Sequence, residues 1–440
     1  MAPRTRAGAI DPASAGQAVL ERVHGLPGGP QLLEAVADRD DAELVGGATR
    51  DLLLARTPRE LDVVVERGAE ELARELAALL SAGDSAQDAV LRRGGHERFG
   101  TAFVSWSGGR IDIATRRAES YPAPGALPQV RAGDLEQDLL RRDFTVNAIA
   151  VALSEPRAGA VAAPATALED LQARTLRVLH ERSFIDDPTR LLRLGRYRAR
   201  LAFDVEPQTA SLADEAIGHG ALQTVSGSRI GAELRLALGE SDPSVSLSSL
   251  ATLGVLAALT PPLAFDEPLA REALALLPAQ DGRADVLLLA VLLLCAPDNA
   301  ASDQRALAAA LDTWEFPAAE RDRAIAAAQR APALTQALQA ADSRSRQREA
   351  LRGAPLEALA LAGALAQRDD AQGAALAARA WLQELRHVRL AVTGDDLLAA
   401  GVAPGPEIGR RLARLLDMRL DGTLEDSREA QLQAALQERS

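Results

Sequence analysis

The sequence predicts a small α/β domain followed by a long all-α remainder. Between about residues 31 and 155, short β-branched runs alternate with helical ones. Beyond about residue 166 no convincing strand pattern is read. The 47% apolar fraction is mostly Ala, Leu and Val, which favours helix, above all in the second half.

In chain order, residues 1–30 are rich in Gly, Pro and Ala and are expected to form a flexible N-terminal segment. "AELVGG", "LDVVVE", "FGTAFVSW" and "RIDIAT" read as strands, "ATRDLLLAR" and "AEELARELAALL" as helices. "YPAPGALPQVRAG" reads as a loop, because Pro and Gly break both periodicities. After "EPRAGAVAAPA" the chain reads as helices joined by short turns, with boundaries near 240 and 390. At 440 residues it is too long for one core.

Composition narrows the function. The net charge is −13, and all 49 basic residues are arginine, which argues against a broadly basic nucleic-acid-binding surface but leaves room for a local patch. A single cysteine, Cys295, excludes internal disulfides and a cysteine-based zinc site, and its apolar surroundings predict a buried, inert thiol. "VLLLAVLLLCAP" is shorter than the roughly 20 residues a bilayer span needs. The N-terminus lacks a signal-peptide core, so a cytoplasmic protein without a membrane partner is expected.

Glu60 and Asp62 open the run "ELDVVVE". In a strand they share one face at roughly 7 Å spacing, with Leu61, Val63 and Val65 on the other. Carboxylates this close repel unless a cation sits between them, and Mg²⁺ suits oxygen ligands while leaving room for substrate phosphates. Asp112 lies mid-strand in "RIDIAT" and joins them if the two strands are neighbours. The spacing alone fits equally well a solvated acid pair at a strand start. The preceding segment favours the metal: Gly46 and Gly47 turn from strand to helix, where backbone N–H groups attract phosphate, and Arg50 lies in the first turn.

"VGGATRDLLLARTPRELDVVVE" resembles the signature of class II tRNA nucleotidyltransferases and bacterial poly(A) polymerases. The resemblance implies a polymerase-β-like nucleotidyltransferase head followed by an all-α neck, body and tail. It implies that Gly46, Gly47 and Arg50 hold a triphosphate and that Glu60 and Asp62 bind the metals. The chain departs from the family pattern at Glu60, where Asp is usual, at Thr49, where Val is usual, and at Ala55, where Gly is usual. "DLLRRDFTVNAIA" matches the next family motif, placing Arg142 on the nucleotide and Asp143 and Asn147 on its sugar and phosphate side. A plain helix end with dipole-offsetting arginines is the bland reading of that stretch.

"DDPTRLLRLGRYRARL" begins as an ordinary N-capped helix, with Asp187 before Pro188. From Arg174 to Arg200, eight arginines stand against three acids, a local +5 in a chain of −13. Cytosine and adenine both pair an exocyclic amino donor with a ring-nitrogen acceptor. A carboxylate and a guanidinium three residues apart therefore suit C and A and reject U and G, by factors on the order of 10⁴ where buried groups are left unpaired. By resemblance Asp187 and Arg190 are that pair, Arg193 and Arg196 are further nucleotide contacts, and Asp186 replaces a usual Glu.

The expected division is a head at 31–155, a neck with the nucleobase-reading site at 166–240, a body at 241–385 and a tRNA-binding tail at 386–440. The expected activity is addition of CCA to the tRNA 3′ end from CTP and ATP, with Glu60, Asp62 and Asp112 catalytic and Mg²⁺ as cofactor. Poly(A) synthesis, CC-only or A-only addition, and a non-catalytic RNA-binding homologue are the alternatives.

Overall fold

The structure is a computed structural model that describes residues 10–82, 92–96, 100–297 and 304–437, the segment 92–96 by its backbone. The chain divides into two compact units, Met1–Val225 and Ser226–Ser440. The division falls inside the stretch 166–240 expected to be a neck.

The first unit opens with α1 (Pro12–His24) and α2 (Gly29–Ala35). Asp11 caps α1 by accepting from Ser14 N at 3.0 Å, Pro12 holds the first helical position, and Val19 and Val23 are wholly buried. Residues 12–24 are thus a packed helix rather than the flexible segment expected, because two valines and a cap outweigh the Gly/Ala-rich composition; residues 1–9 lie outside the described residues.

Then follow β1 (Glu43–Val45), α3 (Gly46–Leu53), β2 (Leu61–Val65), α4 (Ala69–Ala82), β3 (Arg92–His96), β4 (Thr101–Trp106) and β5 (Gly109–Thr115). With β6 (Arg117–Ser120), β7 (Gln129–Ala132), α5 (Leu135–Leu140), a 3₁₀ turn at Thr145–Asn147, β8 (Ala150–Ala152) and β9 (Val161–Ala162), they complete the strand-bearing part. The seven-stranded sheet has the order β3-β4-β5-β2-β1-β8-β9. The β2–β5 pair is parallel and its neighbours are antiparallel. Alternation sorts the strands: Leu61, Val63, Val65, Ile111 and Ile113 join Leu32, Leu72 and Leu76 in one core, leaving Asp62 and Asp112 on the opposite face.

Next come α6 (Ala167–Ala173), β10 (Thr175–Leu176), α7 (Ser183–Asp186), α8 (Thr189–Leu201), β11 (Asp204–Val205) and α9 (Pro207–Gly218). β10 and β11 pair in parallel, so short strands do persist after residue 166, two residues each and too brief to show alternation. The Pro/Gly stretch at 121–133 is likewise not all loop, since its end forms β7 against β6.

The second unit contains only helices among the described residues. Its apolar run is the helix Ala284–Leu294, buried from Val286 to Leu293, which makes it a core helix packed on Ala318–Ala340. Cys295 caps that helix; it is only partly buried, and that burial still pushes its thiol up. Val392, Leu397, Leu415 and Ala435 form a separate small cluster near the C-terminus. Among the described residues, no helix is long and apolar enough to cross a membrane.

Candidate active site

β1 runs straight into α3 with Val45 extended. Gly46 makes the turn at φ +70°, where a side chain is disfavoured. A Cβ there would lie 2.8 Å from Arg142 Nη1 and 3.5 Å from Asp62 Oδ2, so the glycine keeps a gap open between helix start, guanidinium and carboxylate. Arg142 Nη2 donates to Asp138 Oδ2 at 2.9 Å, while its Nε is buried without a hydrogen-bond partner. A guanidinium held across a glycine turn at a helix N-terminus fits a phosphate oxygen.

In the parallel β2–β5 pair Asp62 lies opposite Asp112. Glu60 precedes β2 by one residue and is half exposed. One carboxylate oxygen from each of Glu60, Asp62 and Asp112 lies within 4.8 Å of the others, a set that can hold a metal ion. Burial and the Glu60 charge push the Asp62 carboxyl up to about 7, with Asp112 adding to them and Arg142 and Arg50 opposing. A carboxyl raised in this way lacks compensating positive charge, and an all-oxygen donor set fits a hard divalent cation. Arg110 supplies part of that charge: its Nε and Nη2 donate to both Asp112 oxygens at 2.7 and 2.6 Å.

Behind the glycines runs a buried polar chain. Arg50 donates to Asp51 and to Asn147 Oδ1. Asn147 Nδ2 donates to Asp143 Oδ1 at 2.8 Å, and Arg193 Nη1 lies 3.4 Å from Asp143 Oδ2. Burial raises Asp143, but Arg193, Asn147 and Arg190 outweigh it and hold the carboxyl below its ordinary range. Arg50 and Arg196 stack 5.4 and 5.0 Å from the centroid of the Tyr197 ring.

Asp187 and Arg190 are both buried, Asp187 between α7 and α8 and Arg190 in the first turn of α8, whose cap position is Pro188 rather than the expected Asp187. Asp187 Oδ1 accepts from Thr189 N at 3.1 Å and Thr189 Oγ1 at 2.6 Å. Arg190 donates to Ser183 Oγ and to the Arg141 carbonyl, each at 2.6 Å. Both groups are therefore aimed by neighbours rather than free to rotate. Tyr121 stands near them, its hydroxyl pushed up to about 12 by burial, and donates to Glu119 at 3.2 Å.

The profile of the Poly A polymerase head domain matches residues 42–177. An A-adding tRNA nucleotidyltransferase of Geobacter sulfurreducens is 38% identical over 229 residues, 51% of this chain and 25% of that protein. A CC-adding tRNA nucleotidyltransferase of Deinococcus radiodurans is 34% identical over 387 residues, 88% of this chain and 86% of that protein. The chain belongs to the class II tRNA nucleotidyltransferase family. A solved Thermotoga maritima CCA-adding enzyme complexed with tRNA superposes with a TM-score of 0.70 at 26% identity, over 92% of this chain and 93% of that one. Against the A-adding tRNA nucleotidyltransferases the chain spans only 23% to 49% of the relative's length.

Departures from the tRNA nucleotidyltransferase pattern leave physical traces. Thr49 is wholly buried and its hydroxyl has no hydrogen-bond partner. Ala55 ends α3 at φ +56°, in the position where a Schellman turn favours glycine: Arg56 N donates to Asp51 O and Ala55 N to Leu52 O.

All the site residues expected from the sequence lie in the first unit. Gly46, Asp62 and Arg142 meet, as do Glu60, Asp62 and Asp112, and Arg50, Asn147, Asp143 and Arg193. Gly47 sits under the Arg50 guanidinium. Sequence reasoning missed three groups. Asp138 is fully buried between Arg141 and Arg142, and its i,i+3 and i,i+4 spacing could have revealed it. Glu119 binds Arg117, Tyr121 and Arg141. Arg110 carries no motif signal.

Proposed function

We propose that the chain transfers nucleotidyl groups from CTP and ATP to the 3′ end of tRNA, completing CCA and releasing pyrophosphate. The observation that carries this is the convergence of Glu60, Asp62 and Asp112 beside the Gly46–Arg142 gap, with Asp187 just before α8 and Arg190 in its first turn, bound to the Arg141 carbonyl. In this reading Glu60 and Asp62 hold Mg²⁺, which would stabilise the attacking and leaving oxygens. Gly46, Gly47, Arg50 and Arg142 receive the triphosphate, and Asp143 and Asn147 fix the arginines on its sugar side. The RNA 3′ oxygen bonds to the α-phosphorus, the bond from that phosphorus to the bridging oxygen breaks, and the hydroxyl proton passes to Asp112. Asp187 accepts from the exocyclic amino group and Arg190 donates to the ring acceptor, which C and A satisfy and U and G do not.

Head, neck, body and tail at 31–155, 166–240, 241–385 and 386–440 belong to the same proposal, with the tail on the tRNA and the enzyme in the cytoplasm. A second reading, CC-only addition, is favoured by the long match to the CC-adding relative. A tRNA transcript lacking its terminus, incubated with labelled CTP and ATP, separates them: extension stopping after C, C and A supports the proposal. A stop after two cytidines supports the second reading, and a long adenylate tail or no incorporation refutes both.

A further inference from the structure

Arg110 lies two residues before Asp112 on β5, hence on the same face of the sheet. Its fork takes both Asp112 oxygens, and its Nε lies 3.8 Å from Glu60 Oε2. The guanidinium also stacks 4.3 Å from the centroid of the Phe103 ring, and Phe103 is the cross-strand partner of Asp112. We propose that Arg110 is a resident counter-ion that a divalent cation must displace from Asp112.

Three features of the corner argue for this. The three carboxylates converge within 4.8 Å, so a cation among them stands next to the guanidinium's charge. A two-bonded fork occupies the Asp112 lone pairs that a metal or a reacting hydroxyl would use. The Arg110 side chain is 44% exposed, so it can leave toward solvent, with Phe103 as an apolar ledge that favours its return. In the absence of metal, Arg110 offsets part of the repulsion among the acids; once metal binds, the same charge works against it. This deepens the metal-binding reading above and rests on it.

The test is Mn²⁺ binding to the full chain without nucleotide or RNA, followed by electron paramagnetic resonance. Arg110→Gln is expected to tighten binding about three- to tenfold, from removal of one nearby positive charge. In an Asp112→Asn background the same change should alter affinity less than about twofold. Phe103→Leu, which removes the ledge and keeps an apolar side chain, should shift affinity the same way by less. Unchanged or weaker binding by Arg110→Gln overturns the proposal. So does a full gain that persists without Asp112, or a shift of opposite sign in Phe103→Leu. Absence of Mn²⁺ binding by the wild type itself overturns the metal reading, a result distinguishable from these.

Discussion

The acid corner and the polar chain behind it lie on either side of Gly46 and are built on opposite terms. In the chain from Arg50 through Asn147 and Asp143 to Arg193, burial is met by hydrogen bonds and opposite charge, and Asp143 stays ionised despite it. In the corner, three carboxylates face one another with Arg110 as a partial answer, and Asp62 is driven toward its neutral form. The first region balances its own charges within the chain. The second is a set that can hold a metal ion, and its burial and mutual repulsion cost stability in the metal-free chain.

The largest effect should come from Asp62→Asn, which is expected to reduce nucleotide incorporation on the order of 10³-fold or more. The same change should raise the metal-free melting temperature at pH 8 by about 5 °C, from roughly 2 kcal/mol of burial cost and repulsion relieved, after allowance for solvent screening. The sign follows from linkage. Asp62 titrates near 7 in the fold against 3.8 when unperturbed, so the folded state holds the extra proton between those values. Its contribution to stability is full below about 3.8 and is lost as pH rises through 7. Melting scans of metal-free wild type and variant from pH 5 to 8 should diverge upward with pH; parallel curves would remove the contrast between the two regions.

Breaking the satisfied region should do the reverse. Asn147→Ala strands an Arg50 donor and an Asp143 oxygen, and is expected to cost about 2–4 kcal/mol in urea unfolding at neutral pH. A loss below about 0.5 kcal/mol would show that the network is not pre-organised as described.

Two smaller tests sharpen the comparison at its border. Thr49→Val replaces a buried hydroxyl that has no partner with a methyl group of the same shape, and should stabilise the chain by about 1 kcal/mol in the same assay. Ala55→Gly relieves a left-handed alanine at a helix end and should add up to about 1 kcal/mol. Neither is expected to move the metal affinity.

Much of this was legible in the sequence because strand alternation is a hard constraint. Once Leu61, Val63 and Val65 were assigned to the core, Asp62 had to face the other way, and Asp112 followed by the same logic from Ile111 and Ile113. What escaped was set by contacts between distant segments or by signals too short to show a period. β10 and β11 are two residues each, and Arg110 carries no motif signal; its place is set by Asp112 and by Phe103 on the neighbouring strand. α1 escaped for a different reason: its Asp11-Pro12 start is the same signature that was read at Asp187-Pro188, masked by the Gly- and Ala-rich stretch around it.

Asp138 sits with its whole side chain out of water between two guanidinium groups. One of them, Arg142, reaches over the glycine turn; the other belongs to Arg141, whose carbonyl receives Arg190. In the proposed reading, this single carboxylate thereby ties the arginine that meets the phosphates to the one that reads the base. On that reading, a change at Asp138 touches fidelity and speed together.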